Sequence, residues 1–213
     1  MERSQTPKGR LARNRILAAA ERLIAARGFH GTSMRDIAAA ARLPLATTVY
    51  HFAKKEQLYA AVLGTIADAL DTRLQTAIRE HDGLDALAVA LVRWAAEEPG
   101  RVKLLLREVL DNPARVAKAS RLPLAPFLER ASALVAERGA AMPEIAVLHL
   151  VGAISYFVAA WPTVERIVGA SRAKQIVAGY EREAIAFARH MLGVAPLIPL
   201  ALPTKRRVRT GVA

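Results

Sequence analysis

Apolar residues keep a three-four spacing along most of this chain, and Gly and Pro cut the pattern into helix-sized pieces. Ile16, Leu17, Ala20, Leu23 and Ile24 form one stripe, which predicts a first helix over Gly9 to Arg27 ended by Gly28. Ser33 is placed to cap a second, short helix whose apolar face is Met34, Ile37, Ala38 and Ala41. Pro44 fixes φ and lacks an N–H, so it breaks that helix yet suits the first turn of a third, Leu45 to Phe52. Phe29, Ile37, Leu43, Val49 and Phe52 are the expected core of this head.

A long helix is expected next, from Lys54 to about His81, with Leu58, Val62, Ile66, Leu70 and Leu74 inward and Asp82-Gly83 as its stop. Prolines then set the rhythm: Leu84 to Glu98 before Pro99, Gly100 to Asp111 before Asn112-Pro113, Ala114 to Leu122, and Leu124 to Arg138 closed by Gly139. Pro143 opens the most apolar segment, Pro143 to Trp161, which Pro162 is expected to end; Thr163 to Val168 and Ser171 to Leu192 complete the helices. No alternating β-branched run appears, so the fold class is all-α: a three-helix helix-turn-helix head and a larger helical body. The apolar run falls short of the roughly 20 residues of a spanning helix and carries His149 and Ser155, which favours a helix buried between neighbours.

Charge changes the picture. The net charge of +12 is unevenly spread: residues 1–55 hold eleven Lys and Arg against Glu2, Glu21 and Asp36, and the tail adds Lys205, Arg206, Arg207 and Arg209. The stretch between is neutral, whereas a generally basic surface would spread the excess. This divides the chain into a basic head at 1–55, a neutral body at 56–194, and a Pro-rich basic tail at 195–213 that is either a solvated end or an auxiliary DNA contact. The third helix offers Thr47, Thr48, Tyr50 and His51 without a carboxylate and is followed by Lys54 and Lys55, a surface suited to a polyanion. With no Cys there is no disulfide or thiolate metal site, and no apolar N-terminal run suggests a signal peptide, so a cytoplasmic location is expected.

Arg15-Ile-Leu with Ala20, Gly28-Phe-His-Gly-Thr-Ser, Ile37-Ala38, Val49-Tyr-His-Phe and Lys55-Glu-Gln-Leu, in this order and spacing, resemble the DNA-binding domain of TetR/AcrR-type transcriptional regulators. The match runs from Arg10 to about Leu63. The family usually has Gly where this chain has Arg42, which implies backbone strain if Arg42 takes up a left-handed conformation. It usually has an aromatic where this chain has Val49. The resemblance implies a homodimer joined through Pro143 to Trp161 and Ser171 to Leu192, acting as a repressor on a double-stranded inverted-repeat operator.

The expected DNA contacts are Thr47, Thr48, Tyr50 and His51 on the third helix, Arg42 in the turn, and Arg10, Thr32 and Lys55 toward phosphate. An apolar or aromatic small-molecule effector is expected in the body, lined by Trp94, Leu106, Phe127, Tyr156, Phe157 and Trp161 with Arg107 and His149 as polar handles. The competing class is an all-α ligand-binding protein or enzyme with a basic accessory domain. No nucleophile elbow, phosphate-binding Gly loop or zinc motif supports catalysis, and His30 and His51 have no partner at ligand spacing, so neither a cofactor nor a metal is expected.

Overall fold

The computed structural model describes residues 6–81, 83–111 and 122–193. Among them every regular element is a helix: α1 (Pro7–Arg27), α2 (Met34–Ala40), α3 (Leu45–His51), α4 (Lys55–Glu80), α5 (Gly83–Glu97), α6 (Pro99–Asp111), α7 (Ala125–Ala136), α8 (Pro143–Val168) and α9 (Ala170–Gly193). The expected helix over Ala114 to Leu122 lies, except for its last residue, outside the described residues, as does the basic tail.

The helix ends follow local chemistry. Thr6 caps α1, its hydroxyl accepting from the Gly9 N–H at 3.2 Å. Ser33 and Asp36 form a reciprocal capping box on α2: the Asp36 N–H donates to Ser33 Oγ at 3.1 Å and the Ser33 N–H donates to Asp36 Oδ2 at 2.9 Å. The Ser33 hydroxyl, donating to Asp36 Oδ2 at 2.6 Å, and after it the Ser33 N–H hold the Asp36 carboxyl below its usual range. Gly28 ends α1 at φ 77°, a left-handed backbone that favours glycine.

The buried apolar residues form one continuous cluster, from Ile16 of α1 through Leu58, Ile66 and Leu74 of α4 to Leu87 of α5, Val147 of α8 and Ala188 of α9. Its centre is α5, whose residues from Ala86 to Val92 are all buried because α4, α7, α8 and α9 surround it. Ion pairs tie these helices at the rim: Arg73 to Glu97 (α4 to α5), Arg130 to Asp71 (α7 to α4), and Arg93 to Glu181 and Arg189 to Asp85 (both α9 to α5).

Two expectations about the apolar segment are corrected. Pro162 does not end the helix: α8 runs on to Val168 with Pro162 on its exposed face, where water can serve the carbonyl that loses its helical donor. At 26 residues α8 is therefore long and apolar enough, by length and composition, to cross a membrane. Nor is it buried all round within the chain, since only Val147, Leu150 and Ile154 are inward while Ile145, Leu148, Tyr156 and Ile167 stand exposed. Its neighbour α9 presents Arg172, Lys174, Arg182 and Glu183 to solvent, charges that a hydrocarbon layer would not accept.

Candidate nucleic-acid interface

The head is built by α1 crossing behind the α2–α3 pair, with the start of α4 closing it. In α3 the inward residue is Thr48, with Phe52 buried just past the last turn, so the opposite side of the helix is turned out. That outer side carries Ala46 and Tyr50, with Val49 and Thr47 flanking, and Tyr50 is 78% exposed. His51 is half-buried with its ring edge-on to Tyr50, 5.4 Å between centroids. Arg10 and Arg42 are exposed, as expected of groups that reach phosphate.

Three expected contacts are corrected. Thr48 is fully buried, and its Oγ1 finds no partner among the described residues, so its side chain does not reach the outer face. Val49, assigned to the core from sequence, takes the exposed place instead. Thr32 is buried with its hydroxyl donating to the Gly28 carbonyl at 3.0 Å. The Lys55 ammonium turns inward, donating to the carbonyls of Phe29 at 2.9 Å and Thr32 at 3.0 Å and lying 4.2 Å from the Phe29 ring centroid. Thr32 and Lys55 thus hold the 28–32 loop onto α4. Ala46, missed from sequence, lies two residues from the buried Thr48 and therefore on the opposite side of α3.

The turn between α2 and α3 is strained and braced. Arg42 has φ 53°, the left-handed region that costs a side chain about 1–2 kcal/mol. Arg15 of α1 braces it, its Nη2 donating to the carbonyls of Ala41 at 2.6 Å and Arg42 at 3.3 Å. Arg15, Arg22 and Arg42 surround an open groove of about 450 Å³ floored by alanines. Arg13 lies 5.2 Å over the Phe52 ring, so its charge stays near the third helix.

The expected effector residues differ in burial. Trp94 and Phe127 are buried in the core, Leu106 is half-buried, and Arg107, His149 and Tyr156 are exposed. Phe157 and Trp161 are half-buried neighbours on α8, and Phe157 stacks on Tyr180 of α9 at 3.6 Å. Burial there pushes the Tyr180 phenol up to about 12. Among the described residues the Trp94 Nε1–H and Ser132 Oγ are buried without a hydrogen-bond partner.

Residues 16–62, which span α1 to the first turns of α4, match the family model of bacterial regulatory proteins, tetR family. None of the curated proteins matches the chain. Among solved structures, the fatty acid degradation regulator FadR from Bacillus halodurans is 15% identical, with a TM-score of 0.65 over 86% of this chain and 97% of its own. AibR in complex with isovaleryl coenzyme A and operator DNA is 19% identical, with a TM-score of 0.55 over 69% of this chain and 85% of its own. The multidrug binding protein EbrR complexed with imidazole is 24% identical, with a TM-score of 0.53 over 86% of this chain and 96% of its own. These likenesses carry the fold beyond the matched head. Residues 16–62 thus carry the helix-turn-helix head of the bacterial regulatory proteins of the tetR family, on an all-helical body that shares its architecture with solved structures such as FadR.

Proposed function

We propose that this chain is a cytoplasmic transcriptional repressor that acts as a homodimer on a double-stranded inverted-repeat operator and is released by a small apolar or aromatic effector. The observation that carries the DNA reading is the outer side of α3, where Tyr50 stands exposed with Thr47 flanking it on a helix without a carboxylate, in a head whose Arg10 and Arg42 are also exposed. Tyr50 and Thr47 then meet base edges or sugar, and the arginines meet phosphate. The head is taken as 1–55 and the body as 56–194, with 195–213 as a basic tail. The long helix α4 belongs to both units, since Leu58 and Tyr59 complete the core of the head and Leu70 and Leu74 that of the body.

The dimer reading rests on α8 and α9. Ile145, Leu148 and Tyr156 form an exposed apolar face, and the exposed Gly152 and Ala159 allow a partner helix to come close. Val177 and Phe187 extend the apolar surface on α9. A second copy of the same two helices makes a four-helix bundle and sets the two heads about one DNA turn apart, or somewhat more. The effector reading is supported by a body richer in apolar mass than a DNA-binding head needs, and by relatives of the same fold that hold isovaleryl coenzyme A or imidazole. Trp94, Leu106, Phe127 and the Phe157–Trp161 pair are the groups such a molecule would meet, with Arg107, His149 or Ser155 as polar handles.

The test is a titration of the protein against the duplex upstream of its own gene and against a scrambled duplex of equal length. Light scattering at the same concentrations gives the mass. The reading expects tight binding to the first, weak salt-sensitive binding to the second, and two chains per particle. Equal affinity for both duplexes, or a monomer at micromolar concentration, would overturn it.

A further inference from the structure

The head touches the body at a second place besides the continuous helix α4. Helix α6 packs along α1, and there Arg101 donates from Nε at 2.7 Å and Nη2 at 3.2 Å to the two carboxylate oxygens of Glu21, 80 positions away. Both side chains are only 23% exposed, and Glu98 stands 3.8 Å from the same guanidinium. Further along α6, Arg107 reaches the end of α1: its Nη1 lies 3.4 Å from where a Cβ on Gly28 would stand.

A single helix joining two units leaves the head free to swing where the helix flexes, whereas a second attachment away from that hinge removes the swing. The Glu21–Arg101 contact is suited to this. A bidentate arginine–carboxylate pair fixes direction as well as distance, and partial burial shields it from salt. We propose that the Glu21–Arg101 pair is a latch that sets the orientation of the head on the body, a positioning pair that touches neither DNA nor effector. Because α6 also carries Leu106 and Arg107, a shift of α6 would draw Arg101 from Glu21 and release the head. The consequence for DNA rests on the regulator reading above; the latch itself does not.

The chain has no Cys, so spin labels on Ala53→Cys in the head and Ala133→Cys in the body, both exposed positions, report one head–body distance. Labelled chains are diluted with unlabelled ones, and pulsed electron resonance is recorded without DNA or ligand. The latch expects a narrow distribution that is lost in Glu21→Gln, lost equally in Arg101→Gln, and no broader in the double variant. Arg101→Lys, which keeps the charge and loses the fork, should broaden it in part even if the other variants fold poorly. Arg73→Gln, which breaks a bridge inside the body, should leave it narrow. Unchanged distributions in the Glu21 and Arg101 variants, additive broadening in the double, or equal broadening by Arg73→Gln would overturn the latch. Affinity for the upstream duplex should fall at least about 5-fold in Glu21→Gln, the lower end of typical coupling. Unchanged affinity beside a broadened distance would overturn the positioning role, while failure of the wild type to bind would count against the regulator reading alone.

Discussion

Replacing Arg42 by Gly and, separately, by Ala separates a backbone cost from a side-chain gain at one position. Arg42 stands at φ 53°, where a residue with a Cβ is disfavoured by about 1–2 kcal/mol. Glycine removes that term but gives up more chain entropy on folding, worth about 0.5–1 kcal/mol. The net expectation for Arg42→Gly is a gain of about 0.5–1 kcal/mol, since the brace from Arg15 goes to backbone carbonyls and survives the change. For a chain of this size that raises the midpoint of thermal unfolding by roughly 1–4 °C. Arg42→Ala loses the same charge beside Arg15 and Arg22 yet keeps the Cβ, so the difference between the variants isolates the backbone. Both should weaken DNA binding and lower its salt dependence by about one phosphate contact. Thermal unfolding at one fixed protein concentration, followed by circular dichroism, is the assay. An Ala variant as stable as the Gly variant would refute the strain argument, and unchanged DNA affinity in both would remove Arg42 from the interface.

Thr48→Val replaces a buried hydroxyl that has no partner by a methyl group, and should raise the denaturant midpoint by an amount equivalent to about 1 kcal/mol, while leaving base preference unchanged. A change in preferred DNA sequence would show that Thr48 reads bases after all. Lys55→Met leaves the carbonyls of Phe29 and Thr32 without their charged donor and should cost about 1–3 kcal/mol, read by denaturant unfolding; loss of DNA affinity with no loss of stability would return Lys55 to the phosphate-contacting set. For Tyr180 the folded-state pKa of about 12 lies above the ordinary 10.0, so its stabilising contribution is whole below pH 10 and is lost as pH rises toward 12. The phenolate absorbance that disappears in Tyr180→Phe should therefore emerge near pH 12, and emergence near pH 10 would show that the ring is solvated.

Much of the fold was legible because its causes are local. Helix period, the Ser33 cap, Gly28 and most prolines act within a turn or two of themselves, so α1 to α6 fall close to where the apolar spacing and stop signals place them. The strain at Arg42 was legible too, once the turn is seen to need a left-handed residue. What only the tertiary structure decided is where side chains with two possible destinations go. Thr48 and Val49 are adjacent, β-branched and similar in size, and the docking of Phe52 against the head turned the first in and the second out. Lys55 could face phosphate or protein, and two loop carbonyls more than twenty residues earlier in the chain captured it. Pro162 carries a stop signal that its place on a solvated face overrides, and Glu21 finds Arg101 only because α6 returns to α1. Period and capping are properties of a short segment, whereas burial and pairing depend on which distant segment arrives alongside, and the spacing of residues in one strip of chain does not encode that.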